Sequence, residues 1–135
     1  MKRDDLREAQ RPLKERYGDD PGAARLTLRA DGELGAEAVS CSVETGRALV
    51  EAGLHPASGG DGTLACSGDM LLQALVACAG VTLSAVATSI GVELRAATLT
   101  AEGDLDFRGT LGVARDVPVG FQRIRLVITL DTDAV

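Results

Sequence analysis

The sequence predicts an α+β fold in which an antiparallel sheet wraps one long buried central helix. Three observations point there. Met70 to Val92 runs for 23 residues without a charge, too long for a strand and rich in the Leu, Ala and Val that favour a helix. Arg25 to Arg29, Glu93 to Asp106 and Gly120 to Thr132 each alternate apolar with polar residues, the period of a half-buried strand. Clusters of Gly, Pro and Asp separate these runs, so the chain turns between them.

Taken in order, Asp4 to Tyr17 reads as an amphipathic helix with Leu6, Ala9, Leu13 and Tyr17 on one face. Pro12 is expected to kink or split it. Gly18-Asp19-Asp20-Pro21-Gly22 then breaks the chain, giving a helical segment over 1–22 and a main domain over 23–135. Arg25-Leu26-Thr27-Leu28-Arg29 is a strand and Ala30-Asp31-Gly32-Glu33 a turn. Two further strands are expected at Val39–Val43 and Arg47–Glu51, around Glu44-Thr45-Gly46. The alternation puts Cys41 on one face with Val39 and Val43, in the core.

A glycine-rich loop spans Gly53 to Cys66. Ser67 stands as N-cap of the long helix, with Asp69 in its first turn, where the helix dipole favours an anion. The helix is expected to end near Ile90, with Gly91 as its cap. Two long strands follow, joined by the turn Asp116-Val117-Pro118-Val119-Gly120. As it stands, the sequence stops at Val135 directly after a strand, so the domain is expected to be cut short or completed by a second subunit.

Composition narrows the function. With 20 acidic and 14 basic residues the net charge is −6, which disfavours a nucleic-acid surface. Aromatic residues make up only 2% of the chain, so the core is built from Leu, Val and Ala. A helix apolar on every side then calls for cover from a second copy, and a homodimer is expected. The same helix is long enough to span a bilayer. Gln73, Thr82, Ser84, Thr88, Ser89, Gly80 and Gly91 interrupt it, however, and no Lys or Arg flanks it. A buried helix of a non-membrane protein is therefore expected. The opening residues Met1-Lys2-Arg3-Asp4-Asp5 carry no apolar leader. Three cysteines and one histidine without CxxC or HxxxH spacing form neither a disulfide scaffold nor a zinc set, so no metal or cofactor is expected. A reducing cytoplasm suits them.

Chemistry centres on the thiols. Cys78, amid Leu75-Val76-Ala77-Cys78-Ala79-Gly80, is either a packing residue or a guarded nucleophile. A nucleophilic thiol acts as thiolate, which burial opposes and a nearby cation or helix N-terminus favours. Cys78 stands roughly 15 Å from its helix start, out of reach of that dipole. Its cation must come from elsewhere in the fold or from a partner subunit. Cys66 lies at the helix start, where free amides do favour a thiolate; the bland reading is a loop cysteine of no consequence. Twelve residues of helix separate the two thiols by roughly 18 Å, well beyond the ~7 Å Cα limit of a disulfide.

The run Gly59-Gly60-Asp61-Gly62-Thr63, followed by Ser67-Gly68-Asp69-Met70-Leu71-Leu72-Gln73-Ala74-Leu75-Val76-Ala77-Cys78, resembles the OsmC/Ohr family of thiol peroxidases. Asp69 stands nine residues before Cys78, as in its OsmC-like branch. Asp106-Phe107-Arg108-Gly109-Thr110 and Val117-Pro118-Val119-Gly120-Phe121 are also similar to that branch, and the likeness covers about Arg25 to Asp133. The resemblance implies an OsmC-like fold in an intertwined homodimer. It implies Cys78 as a peroxidatic thiol that a hydroperoxide converts to sulfenic acid. A carboxylate, for which Asp69 stands, and an arginine, with Arg47 and Arg29 as candidates, are implied beside it. The family carries a second, resolving cysteine on a helix after the last strand, and this sequence has none there. Resolution is then expected from Cys66 or an external thiol or dithiol, or activity is lost. Two functions remain open: an oxidative-stress peroxidase acting on organic hydroperoxides, or a non-catalytic dimer of the same fold that binds a small apolar ligand.

Overall fold

A computed structural model of the chain describes residues 3–35, 41–43 and 51–134, with side chains over 7–35 and 51–134. Its order is a helix α1 (Arg3–Asp19), strands β1 (Arg25–Leu34), β2 (Cys41–Val43), β3 (Ala52–Gly53) and β4 (Ala65–Cys66), the long helix α2 (Ser67–Ile90), strand β5 (Leu94–Asp106), a single helical turn α3 (Phe107–Thr110), and strand β6 (Phe121–Thr132). Four strands form one sheet in the order β2-β1-β5-β6, and β3 and β4 form a separate two-stranded piece. The fold is α+β with a long helix, as the alternation and the uncharged run predict.

The chain gathers into two compact units. The first holds Met1–Leu28, Leu49–Gly68 and Gly103–Ile124. Its core is Tyr17, Ala24, Phe107 and Leu111, with Leu13, Ala23, Ala57, Leu105 and Val113 packed against them. Tyr17 is 3% exposed, and its hydroxyl donates to the Ala57 carbonyl at 2.9 Å, so the ring is buried without stranding its polar tip. Pro12 does not split α1, which runs through it as one helix. Pro12 lies on the exposed side, so water can serve the Glu8 carbonyl that a proline cannot reach. Two residues of β3 pair parallel with β4, Ala52 with Ala65 and Gly53 with Cys66. Asp106 caps α3 by accepting from the Arg108 amide at 3.0 Å, and the Arg108 guanidinium closes on the same carboxylate at 2.6 Å.

The second unit holds Arg29–Ala48, Asp69–Glu102 and Arg125–Val135. The expected turn at Ala30–Glu33 is instead the continuation of β1. Ala30 and Gly32 are buried on the face begun by Leu28, and Gly32, Glu33 and Leu34 pair with Val43, Ser42 and Cys41 of antiparallel β2. Asp-Gly looks like a turn signal, but here the glycine lies buried within the strand and pairs with Val43. The rest of the Val39–Val43 strand and the Arg47–Glu51 strand up to residue 50 lie outside the described residues, as does the side chain of Cys41.

Polar side chains record how the long strands pair. Thr100 donates to Asp31 at 2.6 Å and Arg29 stands 3.7 Å from Glu102, so β5 recedes as β1 advances. Arg95 meets Asp131 and Asp133, while Arg125 meets Glu102 at 3.2 Å. Both contacts fix β6 antiparallel to β5.

Helix α2 ends as Gly91 predicts. Gly91 takes φ +71, its amide donates to Thr88 and the Val92 amide reaches back to Ala87, the double bond of a Schellman cap. Leu72, Val76, Gly80, Ser84 and Ala87 are the buried residues of α2. Their spacing of four, four, four and three traces one stripe. Among the described residues, full burial of α2 is confined to that stripe, with Gln73, Leu75, Ala77, Ala79 and Leu83 half-buried, although the helix is apolar all round. Leu71, Val81, Val86 and Ile90 stay exposed.

Candidate functional site

Cys78 lies in the middle of α2 and is exposed. At 100° per residue, the buried stripe from Leu72 to Ala87 centres almost diametrically opposite Cys78. The thiol therefore faces away from the core of its own unit. Its neighbours on that side are Ala74, Val81 and Ala85, all exposed, and none carries a charge. Among the described residues no side chain bonds to the Cys78 sulfur.

Asp69 occupies the first turn of α2 and is half-buried. Nine residues of helix place it about 14 Å along the axis from Cys78 and half a turn round it. One copy of α2 does not bring this carboxylate to this thiol. Arg47 lies outside the described residues. Arg29 is described and already partnered: its guanidinium grips Asp31 through Nε and Nη2 at 3.0–3.2 Å. The Arg29 and Thr100 hydrogen bonds hold the Asp31 carboxyl below the usual carboxylate range. With Glu102 also near, the Arg29 charge is shared among two carboxylates on the sheet.

Cys66 ends β4, one residue before α2 begins. It is half-buried. Around the adjoining Gly68, a Cβ would meet Leu28 at 2.9 Å, Phe121 at 3.3 Å and the Cys66 sulfur at 3.5 Å. Leu28, Phe121 and the Cys66 sulfur thus all crowd upon Gly68, a setting that composition could not foretell. From Ser67 to Cys78 the helix is unbroken and rises about 16 Å.

His55 is the single histidine. Its Nδ1 accepts from the Ala57 amide at 3.0 Å, so the proton of the neutral ring sits on Nε2. The ring stacks on Phe107 with centroids 5.5 Å apart. Its carbonyl accepts from the Ser58 amide, the Ser58 hydroxyl and the Gly60 amide. The only available signal was His-Pro ahead of a glycine cluster, a common turn pattern.

The family model for OsmC-like proteins matches residues 60–135, more than half of the chain. This chain belongs to the OsmC-like family. The matched span carries Cys66, Asp69, Cys78, α2, β5 and β6, and leaves α1, Arg29, Arg47 and His55 outside. A comparison with curated proteins finds no match. Membership in the OsmC-like family points to a redox or peroxidase-related role within osmotic and oxidative stress. By length and composition α2 could cross a bilayer; OsmC-like proteins are generally soluble.

Proposed function

We propose that this OsmC-like chain is a thiol-dependent peroxidase that reduces hydroperoxides, organic ones foremost, with Cys78 as the peroxidatic thiol. The observation that carries the reading is the position of Cys78, within the family-matched span and on the helix face its own core leaves open. The thiolate attacks the terminal peroxide oxygen and the O–O bond breaks. The alcohol departs with a proton, and Cys78 becomes a sulfenic acid. An external thiol then condenses with the sulfenic acid, releasing water and leaving a mixed disulfide. A second thiol equivalent frees Cys78 and carries away the oxidised pair.

Two features support an apolar substrate and a second copy. The stripe around Cys78 is uncharged over the whole of Met70–Val92, which solvates an alkyl or aryl group better than a charged one. Exposed Leu71, Val81 and Val86 on α2 favour a homodimer in which a partner covers that stripe and supplies the activating cation. We place the enzyme in the cytoplasm, where thiol reductants are maintained.

Intact mass after one equivalent of cumene hydroperoxide, with and without a dimedone-type trap, tests the reading. Gain of one oxygen, converted by the trap to an adduct on Cys78, is expected. An unmodified Cys78 would leave the chain as a non-catalytic binder of apolar ligands.

A further inference from the structure

Helix α1 lies outside the family-matched span, yet beside its packing on Ala24 and Phe107 two of its side chains bond to one short piece of backbone. The single turn Pro56–Ser58 leaves carbonyls at its end without partners of its own. Two adjacent ones are taken by α1: Tyr17 donates to Ala57 at 2.9 Å and Gln10 donates to Ser58 at 3.0 Å. These bonds cross 40 and 48 residues of sequence. Gln10, Leu13 and Tyr17 share one helical stripe, at spacings of three and four. The opposite face carries Arg11 between Glu8 and Glu15, all exposed.

The loop is shaped to receive that stripe. Gly59 takes φ +98, a conformation that side chains other than glycine's rarely adopt. A Cβ there would stand 3.0 Å from the Gln10 Cγ and 3.7 Å from the Ala9 Cβ. Glycine at this position thus answers two demands, the backbone turn and the close approach of α1. From α3, Phe107 stacks on His55, whose carbonyl gathers the Ser58 and Gly60 amides. We propose that α1 acts as a strap in cis that fixes the glycine-rich loop, with Gly59 as its seat and Gln10 and Tyr17 as its ties. The order of Ser58–Thr63 is then conditional on α1, independently of the chemistry at Cys78.

Hydrogen exchange followed by mass spectrometry on the full chain tests this. Gln10→Ala and Tyr17→Phe each remove one tie and keep the rest of the side-chain packing nearly intact. Exchange across Ser58–Thr63 should rise roughly fivefold in either variant and more than about tenfold in the double variant, as one and two ordinary hydrogen bonds would give. Arg11→Ala, on the outer face, should leave the loop unchanged. Gly59→Ala should also loosen the loop, and combining it with Gln10→Ala should give less than the product of the two effects, because the shortened residue 10 removes the clash. Loop exchange within twofold of the parent in the double variant would overturn the strap. So would a parallel rise throughout α2, which assigns the effect to general destabilisation, or strict multiplication of the Gly59 and Gln10 effects.

Discussion

Asp69 and Cys78 stand nine residues apart on one unbroken helix, two and a half turns, so the carboxylate and the thiol lie on opposite sides of α2. At about 15 Å in water their Coulomb coupling is only about 0.3 kcal/mol before screening. Asp69→Asn is therefore expected to change the rate at which iodoacetamide labels Cys78 by less than about twofold in dilute, unassociated protein. A tenfold change under those conditions would mean that the helix does not separate them.

Leu71 and Leu72 are adjacent and opposite in fate, 53% and 0% exposed. Leu72→Ala opens a cavity in the core and should cost about 2–5 kcal/mol in urea unfolding. Leu71→Ala should cost less than about 1 kcal/mol in the isolated chain. Its expected effect is on self-association: sedimentation should show the proposed dimer weakened by Leu71→Ala. Equal losses of folding stability would place both residues in the core.

Acid should act on Asp106. The carboxylate is buried and held below the ordinary carboxyl range by Arg108, against the opposing effect of burial, with smaller help from Arg25. A carboxyl whose folded value is depressed contributes stability that is complete above the unfolded value near 3.9 and lost as pH falls through the folded one. Asp106→Asn should cost about 1–3 kcal/mol at pH 7, the range for charge-assisted hydrogen bonds. It should also flatten the fall in stability below about pH 4. A fall as steep in the variant as in the parent would assign the acid branch to other carboxyls.

The two described thiols should separate cleanly. Cys78→Ser should abolish consumption of cumene hydroperoxide in the presence of dithiothreitol, whereas Cys66→Ser should retain at least half of it. Loss in both variants would make Cys66 a participant and require it to come from another chain.

Much of this was legible in the residues. The uncharged run gave α2 its length, Gly91 its end, and strict alternation gave β1, β5 and β6. Cys78 was visible through the motif around it. Ala30–Glu33 misled because Asp-Gly favours turns locally, while pairing with β2 across the sheet holds Gly32 in an extended strand. The exposure of one side of α2 was hidden because Leu and Ala encircle the helix, and an even apolar surface carries no direction. The ties from α1 to the Pro56–Ser58 turn were out of reach because hydrogen bonds across 40 or more residues leave no local pattern.

Strand β6 is the last in the order of the described sheet, and Leu126, Val127, Ile128 and Leu130 along it are exposed. A long border strand with bare apolar side chains is a template on which stray β-segments can add, the first step toward amyloid-like ribbons. Arg123 and Arg125 before this stretch and Asp131 and Asp133 after it act as gatekeepers, charges that a growing ribbon would have to stack upon themselves. Because high salt screens such charges, turbidity in concentrated solution is expected to rise with ionic strength.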